Sequence, residues 1–305
     1  MVWLFVTIFS YFLFAFSSLT DRYLLAGPLP HPRVYAFYTG ITGILAVALI
    51  PLGFQFLGLP FALRGLAAGA IGLLGIYALY RAVFRGGVSR IVPMVGALVP
   101  IFTSLMAISI LSEPVELSQN ILIALVLFIV GTFFLSLRGS LLEFRPSWFD
   151  MGNALVIAFL FSFSLVLTKN VYDEGGFLNG FMWMRWGGFL ASLSFLVFPV
   201  TRGVVFRKQQ NPVQQKRILL PFLSGKGAGM FAFLLQQVAL YLARPFQVAL
   251  MSALQGVQYA FLLVFVAILS FKNPDILKEE FSSANAIWRI IGVACIGAGF
   301  LFFAV

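Results

Sequence analysis

The stretch "SRIVPMVGALVPIFTSLMAISILSEPV" (Ser89–Val115) decides the fold. It is apolar almost throughout and long enough to cross a bilayer as a helix, which takes about 20 residues. Yet it carries two prolines, Pro93 and Pro100. In lipid every backbone N–H and C=O needs a partner, so a break is tolerated only where protein or a water-filled cavity supplies one. Pro100 removes one intrahelical hydrogen bond and crowds the turn before it, which predicts a kink. Pro93 lies near the helix start, where proline costs less. The kink either lines a substrate path or serves packing. Pro114 stops the segment, and Glu113 is either an interfacial cap or a coupling group.

The rest of the chain has the same character. It is 61% hydrophobic and 10% charged, with a mean hydropathy of +1.01 over 305 residues, too apolar for a soluble domain. Apolar runs recur, and they predict ten helices near 2–20, 34–52, 62–80, 91–111, 119–137, 150–168, 178–199, 228–243, 246–270 and 286–304. The first run begins at Trp3 with no basic n-region or small-residue cleavage site before it. It therefore reads as a transmembrane helix and not as a removed signal peptide. Cys295 is the only cysteine, so no disulfide forms within the chain. "RKQQNPVQQKR" (Arg207–Arg217) reads as a solvated connection. The expected class is an all-α integral membrane protein.

The two halves repeat. "ALYRAVFRGGVSRIVPMVGALVP" (Ala78–Pro100) is similar to "ALYLARPFQVALMSALQGVQYA" (Ala239–Ala260). Gly96 precedes Pro114 by the same interval as Gly256 precedes Pro274. "FAFSSLTDR" (Phe14–Arg22) matches "FSFSLVLTK" (Phe161–Lys169), and "IVGTFFLSL" (Ile129–Leu137) matches "GAGFLFFAV" (Gly297–Val305), in the same order. Residues 1–140 and 146–305 thus read as two five-helix repeats. Five is odd, so the second repeat enters the membrane inverted, which is a transporter architecture.

This layout resembles the EamA type of the drug/metabolite transporter superfamily. The resemblance rests on "ALY" at Ala78–Tyr80 and Ala239–Tyr241, on Pro100, Ser104, Leu105, Ser112 and Glu113, and on "MRWGG" (Met184–Gly188). Asn273 and Tyr38 stand where the family often has an acid and an arginine. The resemblance implies a secondary transporter or exporter of small metabolites in the cytoplasmic (inner) membrane, working by alternating access around a central cavity. A translocase of lipid-linked or lipid-like substrates, which similar folds also perform, is the alternative.

Polar residues in apolar helices mark the candidate site. Ser252, Gln255, Gln258 and Tyr259 recur at helical spacing and share one face. An amide facing lipid is costly, so this face looks inward, to a cavity or to another helix. Gln237 and Tyr241 lie one turn apart, and Tyr77, Tyr80 and Arg81 end the third helix. Ser10, Tyr11, Ser17 and Ser18 give the first helix a polar side. The expected substrate cavity is formed by Tyr77, Arg81, Pro100, Arg185, Gln237, Tyr241, Ser252, Gln255, Gln258 and Tyr259. Arg185, flanked by Trp183 and Trp186, either holds an anionic group or snorkels to the interface. Asp21, Arg22, Glu113 and Lys169 are candidate gate or coupling residues. The expected substrate is a small molecule, anionic or aromatic.

Enzyme chemistry has no foothold in the sequence. His31, the only histidine, sits in "GPLPHPR" (Gly27–Arg33), so no His/Cys cluster can hold zinc. "SGKGAG" (Ser224–Gly229) lacks phosphate-loop spacing. No cofactor is expected. The net charge of +10 is read as loop charge facing anionic lipid and not as a nucleic-acid surface.

Orientation follows from where that charge lies. Connections after the odd-numbered predicted helices hold 15 Lys and Arg; those after the even-numbered hold three, Arg64, Lys169 and Arg244. The positive-inside rule then puts the odd connections in the cytoplasm and both termini outside. A C-terminal phosphatase fusion should be active and a fluorescent-protein fusion dark; a bright fluorescent fusion with an inactive phosphatase overturns the assignment.

Overall fold

The computed structural model describes residues 1–305 except 25–30, 87, 112–117, 138–143, 206–214, 273–282 and 305. Its helices are α1 (Val2–Leu24), α2 (Pro32–Ile41), which runs on as a 3-10 helix over Thr42–Leu52, α3 (Leu59–Gly86), α4 (Val88–Ile110) and α5 (Gln119–Ser136). They continue with α6 (Trp148–Leu193), a 3-10 turn at Ser194–Val197, α7 (Pro199–Val205), α8 (Gln215–Leu242), α9 (Gln247–Ala253), α10 (Gln255–Lys272) and α11 (Ser283–Ala304). No strand occurs among the described residues.

Seven helical segments are long and apolar enough to cross a membrane, and Gly227–Leu242 and Ile287–Phe303 are shorter apolar helices. Large apolar side chains such as Phe5, Leu45, Leu105 and Leu301 cover the outside, as lipid as solvent requires. The chain is a helical, multi-pass membrane protein.

One of the seven segments, Trp148–Val197, is 50 residues long. Straight, it would measure about 75 Å at 1.5 Å per residue, more than twice the hydrocarbon core. It breaks at Gly176, whose φ of 75° and ψ of 172° suit glycine and strain other residues. Two limbs result, 148–175 and 177–193. The first outruns the predicted end at 168. Lys169, expected at a helix end, is instead buried inside the limb with its Nζ 2.5 Å from Asp173 Oδ1 one turn on, beside buried Tyr172. That pairing lets the charged "KNVYDE" stay helical. At the limb's start, Ser147 and Asp150 close a capping box, each side chain meeting the other's backbone N–H at 3.1 Å.

Helix pairing builds the body. α3 runs along both limbs of α6, α1 along α8, and α5 along α11. Small residues set the closest crossings. A Cβ at Gly131 would stand 2.9 Å from the Gly292 carbonyl, and one at Gly292 would stand 3.1 Å from the Gly131 carbonyl. α4 keeps both buried prolines inside the helix and is tied to α6 by hydroxyls. Thr103 donates to Ser162 (3.1 Å), and Ser162 donates to the Val99 carbonyl (2.9 Å). Protein groups therefore surround the proline-containing stretch.

The predicted ninth helix is not continuous. It divides at Leu254 into α9 and α10. The break leaves backbone groups open, and side chains of distant helices take them up. The Thr132 hydroxyl of α5 donates to the Ala253 carbonyl (2.8 Å) and accepts from the Gly256 N–H (2.9 Å). Tyr11 of α1 donates to the Met251 carbonyl (2.8 Å). Thr132 and Tyr11 are both buried, so no water replaces them. Thr132→Val should cost about 2–6 kcal/mol, roughly 1–3 for each of the two backbone groups it orphans, and Thr132→Ser much less. Thermal unfolding in detergent checks this ordering.

Candidate functional site

The break in α9–α10 and the bend at Gly176 gather the polar groups of the interior. Beside the break, Tyr11 sits against Gln236 and near Tyr259. Gln258 Nε2 donates to Ser18 Oγ at 3.4 Å, a link between α10 and α1. Ser252 is buried and returns its hydroxyl to the Ala249 carbonyl (2.8 Å). Gln255 opens α10 and is half-buried.

Below the Gly176 bend, Tyr172 donates to Gln237 Oε1 on α8 (2.9 Å). Lys169 also donates to the Tyr241 carbonyl (3.2 Å), which joins α6 to α8. Rings continue from there: Tyr172 and Phe177 against Tyr241, Phe177 stacked on Phe181, and Phe181 against Phe233. The chain of rings ends at Arg185, whose guanidinium carbon lies 5.3 Å above the Phe233 ring. Arg185 Nη2 donates to Thr42 Oγ1 at 2.7 Å. Gly43, next to Thr42, has no room for a Cβ against the Arg185 carbonyl, so α2 lies directly on this limb.

Of the residues expected around a cavity, Arg185, Gln237 and Tyr241 thus join one cluster. Ser252, Gln255, Gln258 and Tyr259 surround the helix break. Tyr77 belongs to a different packing group, its ring 5.2 Å from Phe195 beside Phe37 and Leu73. Arg81, one turn on, is exposed, and Pro100 is buried in α4 with its carbonyl accepting from Ser104 (2.8 Å). The side chains of Asp21, Arg22 and Glu113 lie outside the described residues. Thr42, Thr132, Tyr172, Asp173 and Phe233 were absent from the sequence-derived set. "TKNVYDEGG" (Thr168–Gly176) carried a usable signal, a lysine and aspartate one helical turn apart before a double glycine. Nothing in the sequence marks Thr42 or Thr132.

Among the described residues, no group of three or more His, Cys, Asp or Glu could hold a metal ion. A second ion pair, Arg64 to Glu174 at 2.6 Å, ties α3 to α6 near the bend. It is exposed on both sides, whereas Lys169 is 3% exposed.

No family model matches the chain, and neither does any curated protein. Nineteen solved chains are similar in structure. One, described as a crystal structure of a protein, superposes with a TM-score of 0.65 at 16% identity over 97% of this chain and 96% of its own. That likeness establishes a shared fold across the whole chain.

The two ion pairs should respond differently to mutation. Glu174→Gln removes an exposed pair, which contributes about 0–1 kcal/mol. Asp173→Asn strands a buried lysine and should lower the melting temperature clearly more. Equal shifts would contradict the burial of Lys169.

Proposed function

We propose that the protein is a secondary transporter of small metabolites in the cytoplasmic membrane, built as two inverted five-helix repeats, 1–140 and 146–305. Ten crossings follow if the bent α6 crosses twice and the two shorter apolar helices cross once each. The packing supports a two-fold relation. α1 lies on α8 as the first limb of α6 lies on α3, and α5 lies on α11. Gly131 and Gly292, which cross each other, stand as far apart in the chain as Ala78 and Ala239. Gly96 and Gly256, paired by their spacing to proline, both approach Thr132.

The observation that carries the reading is the interrupted helix α9–α10. Secondary transporters build midplane sites from discontinuous helices with unwound backbone. Tyr11, Gln236, Gln255 and Tyr259 surround this interruption, and the Arg185 cluster adds a second polar centre. Alternating access would rock the repeats about this region, with Lys169–Asp173 and Arg64–Glu174 as ion pairs at one end of it. The layout agrees with the EamA resemblance of the sequence.

Purified protein in liposomes should support counterflow of a soluble metabolite from a panel of amino acids and nucleotides. Alanine at Gln255 or Tyr259 should reduce that flux more than it reduces folded protein. Flux falling only in proportion to folded protein would make these residues packing groups. Exchange of a labelled lipid between leaflets, without solute counterflow, would favour a lipid translocase.

A further inference from the structure

We propose that Arg185 binds a single anionic group, a carboxylate, on the molecule this protein carries. The inference rests on the transporter reading and adds the charge of the substrate to it.

Depth comes first. Arg185 lies nine residues beyond the Gly176 break, about 13 Å along the helix at 1.5 Å per residue. That is near half the thickness of the hydrocarbon core, which is about 30 Å. Its hydrogen-bond partner Thr42 sits midway along the span Pro32–Leu52. With the bend taken as the membrane edge, the guanidinium is held sideways by Thr42 near the middle of the span. A charge held there needs a compensating partner.

The protein supplies none among its described side chains. Three carboxylates are described, and each is committed elsewhere: Asp150 to Arg90, Asp173 to Lys169 and Glu174 to Arg64. Arg185 forms no ion pair among the described residues; Thr42 and the Phe233 ring are its partners. Lys169 is neutralised by Asp173, so among the described residues the cluster carries one net positive charge. One cation selects one negative charge.

Geometry gives the charge access. Arg185 touches Thr42 on the 3-10 extension of α2 and Phe233 on α8, and so bridges these two elements. Thr42 takes one of the two Nη2 hydrogens, and Arg185 as a whole is half-buried. Phe233 fixes the guanidinium against a ring face, which leaves the second Nη2 hydrogen, together with Nη1 or Nε beside it, as a planar edge for a bidentate carboxylate.

Matched carboxylate and amide probes isolate the charge. Thermal shift of the full chain in detergent is measured with benzoate and hexanoate, and with benzamide and hexanamide. At least one carboxylate should stabilise the protein in a saturable way while its amide does not. Arg185→Gln should abolish that difference. Arg185→Lys, which keeps the charge and loses the fork, should weaken carboxylate binding about tenfold. If Arg185→Gln does not fold, the Arg185→Lys result alone decides. Equal shifts by acid and amide, no shift by either acid, or unchanged carboxylate affinity in the variants overturns the proposal. Charge-selective binding without counterflow in liposomes would sink the transport reading and leave this site standing. Counterflow indifferent to substrate charge would do the reverse.

Discussion

The Thr132 hydroxyl holds the centre of this protein together. It donates to one backbone group and accepts from another across the interruption between α9 and α10. A soluble protein could leave both groups to water. In lipid an unpaired backbone group costs several kcal/mol, so the interruption exists only because α5 brings a hydroxyl to it. Tyr11 of α1 donates to a further carbonyl, that of Met251, two residues before Ala253. These contacts set the register of three helices at once. They also fit small residues at the crossings, because α5 can reach the break only by lying close to Gly256 and Gly292.

The coarse fold was legible because lipid imposes a simple pattern. Apolar runs of sufficient length, separated by polar stretches, define helices without reference to partners. Interruptions are a different matter. Leu254 is neither proline nor glycine, and Ser252, Gln255, Gln258 and Tyr259 keep helical spacing across it. The break depends on groups more than a hundred residues away, which no local pattern reports. Lys169 misled in the opposite direction. Its charge reads as a helix end, and only the pairing with Asp173 and the burial of Tyr172 show that the helix continues.

The candidate site was partly legible for the same reason. Arg185 stands out in any apolar segment, and the amides of α8 and α10 stand out beside it. Its partners do not. Thr42 and Phe233 are ordinary residues of apolar helices, and their role follows from α2 and α8 flanking one limb of α6. The proposed transporter thus combines two features that lipid makes expensive, an interrupted helix and an arginine with no ion pair among the described residues. The interruption is satisfied inside the protein. The arginine, on the present reading, is satisfied by the cargo.

Alternating access is tested most directly by the distance between spin labels on Tyr38 of α2 and Phe231 of α8, both exposed, in a Cys295→Ser background. These helices flank the Arg185 cluster from the two halves of the chain. Two distance populations should appear in liposomes, and their balance should shift with any solute that supports counterflow. A single distribution that no such solute alters would contradict a rocking mechanism and make the polar interior a static packing feature.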